Sequence, residues 1–247
     1  MLDSLLLLSG NDIPFIEAQL TIHNPTLKEI AYVGEESFLN GYQMLNVSKN
    51  FLSEEDKVNL GDISNFDILI AILRERNAVM QRNRSCVLMV LALLFPSYAI
   101  SLNKDSIALK KEGTEEVYFL NSENFDIFQR IIKQMFSFGP DDQESDFNPD
   151  GALASKIAEK LRKRHQKLAE KDANSKVDVY SRFASVLAIA MNLSIKDVME
   201  FTPYQLFDQL NRYELKDSYN NNIQARLAGA KDIKDPEDWM KDVHSKS

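Results

Sequence analysis

The sequence predicts a mainly α protein in two parts: an α+β N-terminal domain carrying a small antiparallel β meander, and an all-α C-terminal domain. Three observations carry this. Between Val177 and Trp239, apolar residues recur at helical spacing behind clear start signals. Between Tyr98 and Phe119, three short alternating pieces are separated by turn residues. Between those regions, FGPDDQESDFNPDG holds two prolines, two glycines and five acids, a sharp change of composition. At 247 residues the chain is long enough for two modest cores. The expected organisation is a domain over 1–137, an acidic linker over 138–151, and a helical domain over 152–247 that opens with a basic helix.

Taken in order, residues 1–23 show apolar pieces that alternate between Phe15 and Ile22, the spacing of one or two strands. Asn24, Pro25 and Thr26 then open a helix with Leu27, Ile30, Ala31, Val33 and Phe38 inward, interrupted by Gly34. Ser53 before Glu54, Glu55 and Asp56 marks another helix start, since acids in a first turn complement the helix dipole. A longer helix beginning near Asp62 or Ser64 carries Ile68, Leu69, Ile72 and Leu73 inward. The run Val87–Phe95 is too uniformly apolar for periodicity to assign; it reads as a strand, or as a buried helix end leading into strands. The meander follows, with Tyr98, Ile100 and Leu102, then Ile107 and Leu109, then Val117 and Phe119. Ser122 is the expected cap of a helix with Phe125, Phe128, Ile131, Ile132 and Met135 inward.

In the C-terminal part, Val179, Phe183, Val186, Leu187, Ala190 and Met191 share one predicted helical face. Ser194 offers a cap for a short helix through Phe201. Thr202 followed by Pro203 repeats the start signal, a capping hydroxyl and then a proline at the first helical position. From there Leu206, Phe207, Leu210, Tyr213 and Leu215 make an apolar stripe that continues to Tyr219, Ile223 and Leu227. Asp235 and Pro236 give a last start signal before Trp239, the only tryptophan.

Composition excludes several function classes. Hydrophobic content of 44% and charged content of 27% describe a globular chain. A net charge of −8 argues against a nucleic-acid-coating protein, which needs excess Lys and Arg. The single Cys86 excludes an intrachain disulfide and a cysteine metal cluster, and its apolar setting describes an inert buried thiol. Leu5–Leu8 lack the basic flank of a signal peptide. The longest apolar run, Cys86–Phe95, is about half the roughly 20 residues of a membrane span. A soluble protein in the cytoplasm of the producing cell is expected, with no membrane partner.

Chemistry-bearing motifs are few. Asp146, Asn148, Asp150 and Gly151 match the opening of an EF-hand loop, but Ala154 and Ile157 stand where later ligands are needed, so the segment reads as an acidic turn capping the next helix and no metal is expected. That helix, 152–171, sets Lys156, Lys160, Arg162, Lys163, Arg164, Lys167 and Lys171 against Glu159 and Glu170, around a narrow stripe of Leu153, Ile157, Leu161 and Leu168. It reads first as a solvated helix offset by the preceding acids. An acidic protein surface, and nucleic acid or an anionic membrane, are the alternatives. No aromatic interleaves the basic residues to stack bases. His23, His165 and His244 lie in separate segments, no serine sits in a G-x-S-x-G turn, and no phosphate-cradling glycine loop occurs. Glu35 and Glu36 read as surface charge. No catalytic residue, metal or cofactor is expected, and the chain reads as a non-enzymatic interaction protein. Its candidate protein-binding residues are Tyr204, Phe207, Tyr213 and Trp239, with the tryptophan able either to anchor a partner or to dock back on its own domain.

The C-terminal segments FTPYQLFDQLNRYELK, IQARLAGA and DPEDWMKDVH, with LTIHNPTLKEIAYVGEESF near the N-terminus, resemble tail assembly chaperones of tailed bacteriophages of Gram-positive hosts. That resemblance implies a mainly helical, non-enzymatic protein of the host cytoplasm. Its implied partners are the tape measure protein, which it would coat, and the tail tube protein, which it would recruit. Homo-oligomerisation stays open. In many phages such a gene is read in two frames, and the 138–151 segment is where a joint between the two products would fall. The competing reading is a structural virion component such as a baseplate or connector subunit.

Overall fold

The computed structural model describes residues 2–48, 63–74, 78–136, 179–229, 235 and 238–240. The helix start at Ser53, the acidic linker with the EF-hand-like turn, and the basic helix 152–171 lie outside the described residues. The fold is mainly helical, with small antiparallel sheets in the N-terminal half and helices in the C-terminal part, as the sequence predicts.

Residues 1–23 hold more than strands. Leu5–Leu8 belong to helix α1 (Ser4–Ser9), where the Asp3 carboxylate accepts the Leu5 N–H at 2.8 Å. Strands β1 (Ile13–Phe15) and β2 (Leu20–Ile22) pair antiparallel around a single 3₁₀ turn, so Ile13, Phe15, Leu20 and Ile22 all enter the core. Helix α2 (Leu27–Val33) starts at a capping box between Thr26 and Glu29. Partial burial pushes the Glu29 carboxyl up, but its hydrogen bonds from Thr26 and His23 outweigh this and hold it below the ordinary range. Ala31, expected inward, is exposed on α2. Gly34 adopts φ 89°, ψ 127°, open to glycine and not to L side chains, and so separates α2 from α3 (Glu35–Leu45).

Helix α4 (Asn65–Arg74) opens with the Ser64 hydroxyl and N–H on Asp67. It buries Phe66 and Ile70 as well as the expected Ile68, Leu69 and Leu73. The ambiguous run resolves as the C-terminal end of α5 (Ala78–Leu94), with Val87, Val90, Leu91 and Leu94 buried. Of the two readings, the buried helix end leading into strands is the one adopted. The meander then forms in the order β3 (Tyr98–Leu102), β4 (Ile107–Lys111), β5 (Val117–Leu120). In β5 it is Tyr118 and Leu120 that turn toward the core, leaving Val117 and Phe119 outside.

Helix α6 (Phe125–Phe136) buries the expected face. Its turn, however, is built by asparagines rather than capped by Ser122: Asn121 Oδ1 accepts the Glu123 and Asn124 N–H groups, and the Asn124 amide donates to Phe119 O at 2.8 Å. Gln129 on α6 is buried, donating at 2.8 Å to both Leu45 O and Val47 O, and accepting from Asn65 at 3.2 Å. One buried amide thereby ties α6 to the C-terminal end of α3 and the start of α4.

The C-terminal helices are α7 (Val179–Met191), α8 (Ile195–Met199) and α9 (Pro203–Leu227). Ser194 caps α8 through the Lys196 N–H, and Thr202 with Gln205 forms a second capping box at α9. Residues of α7 to α9 belong to the same core cluster as those of α1 to α6, including Tyr180, Leu187, Leu206 and Phe207.

Burial also sets an alkaline limit. The largely buried Tyr42 phenol is pushed up to about 12, and burial drives Tyr180 in the same direction. Both hold their protons more tightly folded than unfolded. Stability is therefore intact below pH 10, the ordinary phenol value, and is lost as pH rises toward 12. Thermal unfolding midpoints followed from about pH 9 to pH 11.5 should fall steeply, and less steeply in Tyr42→Phe.

Candidate protein-binding surface

Helix α7 is positioned from a distance. Glu35, the first residue of α3, turns its carboxylate to the α7 N-terminus, accepting from the Tyr180 N–H and from Ser181 Oγ at 2.8 Å. Four orphan N–H groups open any helix, and here an acid 145 residues away in sequence satisfies part of that set. Glu35 is thus a cap and not free surface charge. Below it, aromatic rings continue the junction: Tyr180 lies 6.1 Å from Phe38 and 6.1 Å from Phe207, and Phe207 meets Phe183 edge-on at 5.6 Å.

This seating turns α7 so that Tyr180, Ala184, Leu187 and Ala188 are buried. Val186 and Met191, expected inward, are instead exposed at 47% and 42%. Beside them stand Ile189 at 84% and, at the start of α8, Ile195 at 46%. Four large apolar side chains thus lie outside on two consecutive helices, and the cation of Arg182 sits 5.2 Å over the Phe183 ring at the edge of that face.

The expected binding residues separate into three situations. Tyr204 and Phe207 are buried in the chain's own core. Tyr213 is half-buried on α9, beyond the part of that helix that packs on the core. Trp239 retains 36% of its surface, and the segment before it is held by Arg226, whose Nη2 lies 2.7 Å from Asp235 Oδ1. Asp235, expected as a cap, thus makes an ion pair; the helix expected after it falls largely outside the described residues. Residue type alone points to the aromatics; the outward position of Val186 and Ile189 depends on the rotation of α7 about its axis, and that of Ile195 on how α8 follows it.

Elsewhere, Cys86 is buried as expected. Among the described residues no cluster of His, Cys, Asp and Glu has the arrangement of a metal site, and no helix is long and apolar enough to cross a membrane.

Residues 182–244 match a family model described as the YomV second domain, a phage-derived family, consistent with a phage protein. The matched stretch begins within the first turn of α7 and takes in α8 and α9. No curated protein and no solved structure matches the chain.

Proposed function

We propose that this is a non-enzymatic phage protein of the host cytoplasm that holds other polypeptides on its C-terminal helices, acting as a tail assembly chaperone for the tape measure protein and the tail tube protein. The observation that carries the reading is the coincidence of two features on one stretch. The region similar to a phage-derived family is also the region where Val186, Ile189, Met191 and Ile195 stay out of the core. Large apolar side chains facing water on consecutive helices favour association with an apolar partner surface. A tape measure protein, long, helical and apolar-striped, would present such a surface.

The test is coexpression with the neighbouring large tail protein, in parallel with Ile189→Glu. The expected result is a large partner that stays soluble only with the unmodified chain. The charged variant should keep its unfolding midpoint and hold the partner about tenfold more weakly or worse, the size of one interface hot spot. Equal solubility of the partner without this chain would refute the chaperone reading, and copurification with mature particles would replace it by a structural virion component.

A further inference from the structure

In the meander β4 is the central strand, so β3 and β5 each present an edge. The ladder decides which backbone groups reach those edges. Glu112 N–H donates to Ser97 O and Asn103 N–H to Ser106 O, both at 2.9 Å, so Ser97, Ala99, Ser101 and Asn103 turn their backbone groups toward β4. Tyr98, Ile100 and Leu102 therefore turn theirs away from the sheet. The Tyr98 N–H bends back to Phe95 O at 3.1 Å. Among the described residues nothing pairs with the Tyr98 carbonyl, or with the N–H and carbonyl of Ile100 and of Leu102.

A row of open donors and acceptors is a template for another strand, and natural edges are blunted by charge, proline, brevity or a covering group. The β5 edge is blunted in this way. It has four residues, the Asn124 amide occupies its outward Phe119 carbonyl at 2.8 Å, and Glu115 and Glu116 stand at its start. Strand β3 reads YAISL, five residues without a charge or a proline, and none of them is buried. Ala99 and Ser101 are exposed on the outer face, while Tyr98, Ile100 and Leu102 are half-buried on the face that meets the core.

We propose that β3 is a self-association edge, where a second copy of this chain adds its own β3 antiparallel across a twofold axis at Ile100. With Ile100 opposite its counterpart, each Ile100 N–H donates to the other's carbonyl, and each Leu102 N–H donates to the Tyr98 carbonyl of the second copy. Only the Leu102 carbonyl then lacks a strand partner. Tyr98 falls opposite Leu102 on the core face, an aromatic–aliphatic pair made on both sides of the axis. Two features favour a second copy over a foreign strand. The edge has no charge to select a charged segment and none to repel its own image. The twofold pairing also closes both β3 edges, so the joined sheet ends only in the blunted β5 edges, whereas an added peptide would leave its own far edge open. This interface uses none of the α7–α8 surface and stands independently of the proposed chaperone role.

Sedimentation of the full chain tests it. One short strand pair makes a small interface, so monomer should pass into dimer, and no further, as concentration rises through the micromolar range. In that dimer Ala99 lies opposite Ser101 of the second copy. Ala99→Glu combined with Ser101→Glu sets like charges directly opposite on both sides of the axis and should weaken the dimer about tenfold. Ala99→Glu combined with Ser101→Lys sets opposite charges there and should restore it. The single chain tolerates both combinations, because the two side chains are exposed and face Lys110 and Ala108 across the ladder, and equal unfolding midpoints check this. Amide exchange needs no substitution: protection at Ile100 and Leu102 should rise with concentration in the unmodified chain. A chain that stays monomeric, a dimer indifferent to these charges, or a dimer lost instead in Ile189→Glu overturns the proposal. Protection of those two amides only when another protein is added overturns it as well and gives the edge to a foreign strand.

Discussion

Replacing Phe38 by alanine is expected to cost about 3–5 kcal/mol of folding stability, the range for emptying a fully packed aromatic position. The side chain is wholly buried on α3, edge-on to Phe136 at 5.1 Å and to Tyr180 at 6.1 Å, and parallel to Tyr42 at 6.4 Å. Three helices, α3, α6 and α7, therefore meet on one ring. Little can collapse into the space, because Tyr42 and Phe136 are already in contact with each other at 5.5 Å. Loss of so large a part of a stability that totals only about 5–15 kcal/mol should be visible as a urea midpoint lowered by at least about a fifth. Phe119→Ala supplies the control: the same deletion at a 44% exposed ring on the outer face of β5 should cost far less, within about 1 kcal/mol. Because Phe38 also touches Tyr180, Phe38→Ala should lower exchange protection in α7 along with that in α3. A loss below about 1 kcal/mol, or one confined to α3, would mean that the rings do not couple α7 to the rest of the core.

How far the sequence carries the fold depends on whether a residue acts locally. The helix start at Thr26, the capping hydroxyl of Thr202, the cap at Ser194, the three strands of the meander and the inward face of α6 are all written within a few neighbouring residues, and each forms as read. The misreadings have a common origin. Periodicity sends every apolar residue inward, so Ala31, Val186 and Met191 are placed in a core that they do not enter. The stretch Val87–Phe95 is apolar on all sides and has no period to read; it is helix in a setting where α2, α3, α4 and β3 all pack against it. Leu5–Leu8 are too short a run to show a helical period, and their helix rests on the Asp3 cap and on Gln205, which donates to Leu8 O at 2.8 Å from the start of α9. Contacts of that reach leave no local trace. The same holds for Glu35 at the α7 N-terminus, where a side chain of ordinary surface type becomes the cap that turns α7 and decides which of its apolar residues face water. The apolar residues of α7 show their helical spacing in the sequence, but which of them face water is set by packing outside that stretch.

Gly41→Ala is expected to destabilise by about 3 kcal/mol, at the upper end of what overpacking costs. Glycine inside a helix is ordinarily a liability, and alanine there gains roughly 1 kcal/mol from propensity. At Gly41 the sign reverses because α3 crosses α5 with backbone against backbone. A methyl group at this position would lie 2.8 Å from the Cys86 carbonyl carbon and 2.7 Å from Val90 Cγ2, and closer still to the Cys86 oxygen. Carbon atoms do not approach one another so closely, so α3 and α5 would have to separate, loosening Phe38 and Leu45 on one side and Val87 and Val90 on the other. A double-mutant cycle with Val90→Ala distinguishes which atom forbids the methyl group. If the valine side chain were the obstacle, trimming it would recover most of the loss. The shortest approach is to the Cys86 backbone, which trimming cannot move, so recovery in the double variant should stay within about 0.5 kcal/mol, the level of independent sites. Urea unfolding of the four chains measures this, and a Gly41→Ala chain as stable as the unmodified one would show that α3 and α5 do not approach as closely as this packing requires.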